Sequence, residues 1–230
     1  MILINQSVNL IKSDGINAVK ACEFAGRNCY ASQDKITDNS YERFANNLLL
    51  RHHETPLEFS DLTFDITTSR AVMAELTRHR LANFCIESQR YIQEAKTGDI
   101  TFIKPVWYDE KYFIKILSEE NNSPEALMCC EWRKQMLIAE NSYKNLIQYG
   151  AKPEEAREVL PNSTACRIIM KANLREWRHI FELRCSPAAY PQMREITKQM
   201  LKLAHNSVPI VFDDLYNNFI EKHLEGDNEQ

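Results

Sequence analysis

The sequence predicts a single α/β or α+β domain spanning all 230 residues, with no Rossmann motif, and three observations carry that prediction. Segments with apolar residues at helical spacing are interleaved with segments that alternate apolar and polar. No internal repeat, low-complexity block or linker divides the chain. The only five glycines are Gly15, Gly26, Gly98, Gly150 and Gly226, too far apart to write either G-x-G-x-x-G or a P-loop.

The first helix is expected from about Asn17 to Cys29, where Val19, Cys22, Gly26 and Cys29 recur at helical spacing behind Ser13 and Asp14. A second runs from roughly Ser40 to His52 with Asn39 as N-cap, and His52-His53-Glu54-Thr55-Pro56 breaks it. Leu62, Phe64 and Ile66 then alternate with Asp61, Thr63 and Asp65 as a strand with one wet face. Ser69 caps a helix that buries Val72, Met73 and Leu76 and ends near Arg78-His79-Arg80. Ile100 and Phe102 before Pro105 suggest a strand; Ser123-Pro124-Glu125 starts a long, structural helix that Gly150 stops. Pro153 opens a short helix containing Arg157. Thr164 to Met170 fits a buried strand or a helix, with strand favoured. Leu174, Trp177 and Phe181 mark an amphipathic helix ending near Arg184, and Ile196, Met200 and Leu203 a last long helix before Pro209. The polar tail after Leu224 is expected to fray.

With 44% hydrophobic and 26% charged residues the chain can bury a real core. A formal charge of −4 leaves no surplus of Lys and Arg for a nucleic-acid polyanion, although local clusters can still hold small anions. No apolar run approaches the length of a membrane span, and Asn5, Lys12, Asp14 and Lys20 interrupt any signal-peptide core. The odd set Cys22, Cys29, Cys85, Cys129, Cys130, Cys166 and Cys185 has no C-x-x-C spacing and reads as reduced thiols in a cytoplasmic protein.

Without a glycine cradle, a phosphate-bearing ligand must be held by side chains and helix N-termini, which directs the search to arginine. Half of the 28 Lys and Arg residues are Arg, and two windows gather Arg78, Arg80 and Arg90, then Arg157, Arg167, Arg175, Arg178 and Arg184. Any one of these is more often solvated or paired with Glu than functional; the clustering is the signal. His52, His53 and His79 with Glu54 have no metal-ligand spacing, so no metal is expected. Trp177 and Phe181 are core residues first. Cys85 and Cys185 lie beside arginines, yet small buried cysteine is the commoner fate.

Arg78-His79-Arg80 followed after seven residues by Ser88, then Arg90 and Tyr91, resembles the signature of the flavin-dependent thymidylate synthases. Upstream, His53-Glu54-Thr55-Pro56-Leu57-Glu58 is similar to the family's H-E-T-P-F-E segment. Downstream, Ala156-Arg157-Glu158-Val159-Leu160-Pro161 is similar to A-R-x-x-L-P, and Asn173-Leu174-Arg175 with His179 and Leu183-Arg184 to the N-x-R and L-R block. The resemblance runs from Ala25-Gly26-Arg27 to Pro209 and is thinnest over about 106–150. The chain departs from it in placing the carboxylate Glu87 one residue later than usual, in Phe59 where histidine is frequent, and in Ala188-Ala189-Tyr190-Pro191-Gln192 for H-A-Q-x-E.

The resemblance implies a mainly antiparallel central sheet flanked by long helices, and an enzyme that methylates dUMP to dTMP. Its one-carbon donor would be methylenetetrahydrofolate and its reductant NADPH, acting through FAD. His53, Thr55, Arg78, His79, Arg80, Glu87, Asn173, Arg175 and His179 would contact FAD. Glu75, Arg78, Glu87, Ser88, Gln89, Arg90, Arg157 and Arg184 would surround dUMP, with Ser88 as a ligand and Arg184 the catalytic cation that favours the N3-deprotonated ring. A homotetramer with active sites at subunit interfaces is implied as well. The competing expectation is a nucleotide-binding homologue without activity.

Overall fold

The chain opens with two strands, β1 (Ile2–Ile4) and β2 (Ser7–Lys12), that periodicity does not announce. A three-residue strand is too short to show alternation, and β1 is defined by its partner far along the chain. α1 (Ile16–Asn28) and α2 (Ser40–Leu50) follow as expected. Asn39 makes no capping bond; Ser40 instead accepts from Thr37 N at 2.8 Å and donates to Glu23 at 3.0 Å. α2 ends in a left-handed residue, His52, at φ 55°. His52 N donates to Leu49 O and His53 N to Leu48 O, the bond pair of a Schellman cap with histidine where glycine is usual. A 3₁₀ turn over Thr55–Phe59 leads into β3 (Asp61–Ser69).

β3 is drier than its alternation suggests, for Thr63 and Thr68 are buried with the apolar residues. Ser69 accepts from Val72 N at 3.3 Å and so caps α3 (Arg70–Leu76). β4 (Asn83–Ile86) was not anticipated, whereas β5 (Thr101–Ile103) was. α4 (Pro124–Gln148) is capped by Ser123 through Ala126 N and stopped by Gly150 at φ 99°. α5 (Pro153–Ala156) ends one residue before Arg157, which lies in a 3₁₀ turn, Arg157–Val159, and not in the helix. The ambiguous segment is a strand, β6 (Ala165–Asn173), and α6 (Leu174–Arg184) and α7 (Pro191–Ser207) follow. Pro209 does not close the helical region: it sits at the start of α8 (Pro209–Tyr216), where a proline's fixed φ suits a first turn, and a π turn over Asn217–Glu221 follows. This computed structural model describes residues 1–89, 99–112 and 123–222, so the tail after Leu224 lies outside the described residues.

The chain forms two compact units of α+β character. One comprises 1–6, 67–74 and 86–167. In it β1 pairs parallel with β5 (Ile2 with Thr101, Ile4 with Ile103), and Ile100, Phe102, Met136, Tyr143 and Ala156 form a core under α4. The helix read as structural therefore supplies a hydrophobic face, and its buried Glu140 accepts from Ile100 N at 2.9 Å.

The second unit comprises 7–66, 75–85 and 168–230. An antiparallel sheet has strand order β2-β3-β6-β4. Asp61 on β3 joins Lys12 (3.0 Å) and Lys171 (3.1 Å) on the strands either side. The core is an aromatic run: Phe64 meets Trp177 edge-on at 4.8 Å, Trp177 stacks on Phe181 at 5.6 Å, and Phe181 meets Phe212 at 5.5 Å. Trp177 Nε1 donates to Leu62 O at 3.0 Å, so both expected core aromatics are buried and satisfied.

Candidate active site

The second unit presents one large cavity, of about 670 Å³, within the size range of ligand sites. Its wall is α6, entered through Asn173, whose side chain accepts from Glu176 N at 2.8 Å and fixes the helix start. Residues 175, 178, 179 and 182 then face the cavity at helical spacing, opposite Arg78, His79 and Arg80 just beyond α3. Six of the residues expected to hold the flavin thus line one space: Arg78, His79, Arg80, Asn173, Arg175 and His179. His53 and Thr55 line an adjoining cavity of about 290 Å³ that shares Glu54 and Arg175 with the first. Glu87 lines neither; its carboxylate accepts from Arg167 N at 3.3 Å.

The arginines divide by partner. Arg78 and Arg80 are exposed and form no ion pair among the described residues. Arg175 donates to Glu58 at 2.6 Å, and its Nε lies 3.7 Å from Glu54. Arg178 is buried, with a bidentate bond to Asp214 (2.8 and 2.6 Å) and a bond to Val211 O. It is a structural tie. Burial pushes the Asp214 carboxyl up, but the hydrogen bonds and charge of Arg178 outweigh this and hold it below the usual range.

Behind the cavity, Arg184 donates through Nη1 to Glu75 at 2.9 Å and through Nε to His79 Nε2 at 3.1 Å. An accepting Nε2 puts the His79 proton on Nδ1, which faces Glu176 at 3.6 Å. Burial, reinforced by the charges of Arg184 and His179, lowers the His79 pKa to about 4, so the ring is neutral at pH 7. Burial raises the Glu176 carboxyl, partly offset by His179. Glu75, His79 and Arg184 thus form one network, and Glu75 offsets part of the Arg184 charge.

The remaining expected substrate residues belong to the other unit. Gln89 and Arg157 line a polar pocket of about 310 Å³ there, and half-buried Ser88 does not line it. Arg90 lies outside the described residues. Cys185 is buried, which pushes its thiol up to about 12, and Cys85 is exposed but lines none of these cavities. Among the described residues no group of His, Cys, Asp or Glu is placed to hold a metal.

Sequence reasoning missed the pairing of the carboxylates Glu54, Glu58 and Asp214 with these arginines. Glu54 and Glu58 stand in the H-E-T-P-L-E segment and were in view; nothing near Arg178 in sequence announces Asp214.

An α+β scaffold whose cavity combines arginines with no ion pair among the described residues, a helix N-terminus and the neutral His79 ring fits a class, proteins that bind anionic nucleotide-like ligands without a glycine loop. Comparison narrows the class. The family model described as thymidylate synthase complementing protein matches residues 10–210. A probable flavin-dependent thymidylate synthase of Mycobacterium phage D29 is 30% identical over 209 residues, covering 86% of this chain and 84% of the relative. The flavin-dependent thymidylate synthase of Geobacter sulfurreducens is 30% identical over 206 residues, covering 84% and 80%. Among solved structures, the UMP/dUMP methylase PolB of Streptomyces cacaoi, bound with 5-Br dUMP, shares the fold with a TM-score of 0.77 at 21% identity, over 95% of this chain and 98% of that one. The chain belongs to the flavin-dependent thymidylate synthase family.

Proposed function

We propose that residues 1–230 act as one catalytic domain that converts dUMP to dTMP, with methylenetetrahydrofolate as one-carbon donor, NADPH as reductant and FAD as the flavin. The observation that carries this reading is that Arg78 and Arg80, which form no ion pair among the described residues, lie in the cavity that also holds His79, Asn173, Arg175 and His179. Two guanidinium forks that pair with no carboxylate among the described residues, beside a helix N-terminus, fit a dinucleotide's diphosphate. His53 and Thr55 would extend the contact along the adjoining cavity. Glu87 enters this set only by resemblance.

FAD held by these residues would supply two-electron transfer from NADPH. The methylene carbon replaces the C5 proton of the uracil and is reduced to methyl, leaving dTMP, tetrahydrofolate and NADP⁺. Arg184 would hold positive charge at the base, favouring the N3-deprotonated ring and enriching C5 for attack. Glu75 and His79 orient that guanidinium while leaving Nη2 to a ligand. Glu87, Ser88, Gln89, Arg90 and Arg157, with Arg78, would complete the dUMP site, Ser88 as a ligand. The same reading makes the protein a cytoplasmic homotetramer with active sites at subunit interfaces.

The test is direct. The purified protein should carry or take up a flavin with its visible absorbance, and it should oxidise NADPH only when dUMP and methylenetetrahydrofolate are present. Arg184→Ala should cut the rate by orders of magnitude with dUMP still bound. Protein that binds dUMP and never turns over, with flavin supplied, would be the inactive homologue instead.

A further inference from the structure

We propose that a basic pocket of about 280 Å³ in the second unit takes the glutamate carboxylates of the folate co-substrate, with Lys35 and Arg51, which belong to none of the motifs above, as its ligands. The proposal rests on the folate-dependent reading of the reaction and adds to it where the anionic end of that co-substrate lies.

The pocket stands third in a series. Tyr30, Leu48 and His53 line both it and the cavity of about 290 Å³ that holds Thr55. That cavity in turn shares Glu54 and Arg175 with the one assigned to the flavin. A molecule that reacts at the flavin and carries its negative charge at the far end of an extended body fits such a series. Methylenetetrahydrofolate is built that way, with a reacting ring system, then a benzoyl ring, then glutamate. The wall matches the last two parts: Tyr30, exposed and common to both cavities, offers an aromatic face, and Lys35 and Arg51 offer cations.

The charge balance singles out these two cations. Arg27 also lines the pocket, but Glu23 holds it at 2.7 Å and its guanidinium lies over the Phe44 ring at 5.1 Å. The second Glu23 oxygen accepts from Ser40 Oγ at 3.0 Å, so this carboxylate is spent on Arg27 and on the start of α2. Lys35 and Arg51 form no ion pair among the described residues, and no carboxylate among those residues lines the pocket. The backbone that carries them is fixed. Ala31 is left-handed at φ 45°, Ser32 N donates to Arg27 O at 3.2 Å, Lys35 N to Ser32 O at 3.1 Å, and Arg51 N to Asn47 O at 3.2 Å. In a chain with a formal charge of −4, a wall with two such cations and no acid favours an anion.

The experiment is calorimetry on the FAD-loaded protein with folic acid and with pteroic acid, which lacks only the glutamate. Wild type should bind folic acid about 5- to 20-fold more tightly, and Lys35→Met combined with Arg51→Met should bring that ratio to about twofold or less. Both side chains are exposed; should the double variant not fold, each single substitution must lower the ratio. A preference that survives the substitutions would overturn the assignment. So would a double variant that keeps it and instead loses discrimination between NADPH and NADH, because the pocket would then hold a phosphate. Wild type that binds both acids equally would overturn the pocket's role alone, whereas wild type that binds neither would overturn the folate reading and the proposal with it.

Discussion

Replacing Arg178 by Met should destabilise the protein by about 2–4 kcal/mol at pH 7. The side chain is 7% exposed and makes a bidentate bond to Asp214 and another to the Val211 carbonyl. Bonds to a charged group contribute about 1.5–3 kcal/mol each, and breaking a buried pair by removing one partner costs about 3–5 kcal/mol. The Asp214 side chain is 56% exposed and rehydrates once released, which lowers the expected loss. For a chain of this size that corresponds to a fall in Tm of about 5–15 °C by circular dichroism. The pH dependence supplies the sign. Asp214 has a depressed pKa in the folded state, so its contribution is complete above the unfolded carboxylate value and is lost as pH falls through the folded one. The gap between wild type and Arg178→Met should therefore narrow below about pH 4. Equal Tm values at pH 7, or a gap that persists unchanged in acid, would refute the reasoning. So would additive losses for Arg178→Met and Asp214→Asn in a double-mutant cycle.

A Cβ at Gly26 would lie 2.6 Å from Phe44 Cζ and 3.1 Å from Pro56 Cγ, so Gly26→Ala should cost about 1–3 kcal/mol in urea unfolding; an unchanged midpoint would contradict that packing. His52→Gly, at φ 55°, should be stabilising by up to about 1 kcal/mol, and a lowered Tm would deny the left-handed cap. His79 is neutral when folded, with a pKa of about 4, so its contribution is full above pH 6.5 and is lost as pH falls toward 4. Its ring protons should titrate near 4 by NMR, and a midpoint near 6.5 would refute the burial argument.

The helices with good punctuation were legible: Ser69, Ser123 and Asn173 each accept the amide bond that their positions ahead of an apolar run imply. β1, β2 and β4 were not, because short strands owe their definition to distant partners. Pro209 misled for a related reason, since proline ends one helix and starts another with equal ease. At the site, fixed spacings brought Arg78, His79, Arg80, Asn173, Arg175 and His179 to one cavity. The roles within that set were hidden. Arg178 sits in the same helix window as Arg175, and only the fold delivers Asp214 to it.

That distinction between paired and unpaired guanidinium groups bears on how the site works. Arg78 and Arg80 form no ion pair among the described residues, so a phosphate that binds them would break no carboxylate bond seen there. Arg184 is different. Its Glu75 bond at 2.9 Å already satisfies one edge of the fork and opposes its charge, and the neutral His79 ring satisfies another N–H without adding charge. On the proposed role of Arg184, a base that meets it would either share the remaining donors or displace Glu75, and only the second would restore the full cation that a deprotonated ring calls for. Glu75→Gln would keep the hydrogen-bond geometry and remove the opposing charge, so the acidic limb of the pH–rate profile should move to lower pH. If that limb stays where it is, Glu75 positions Arg184 without tuning it.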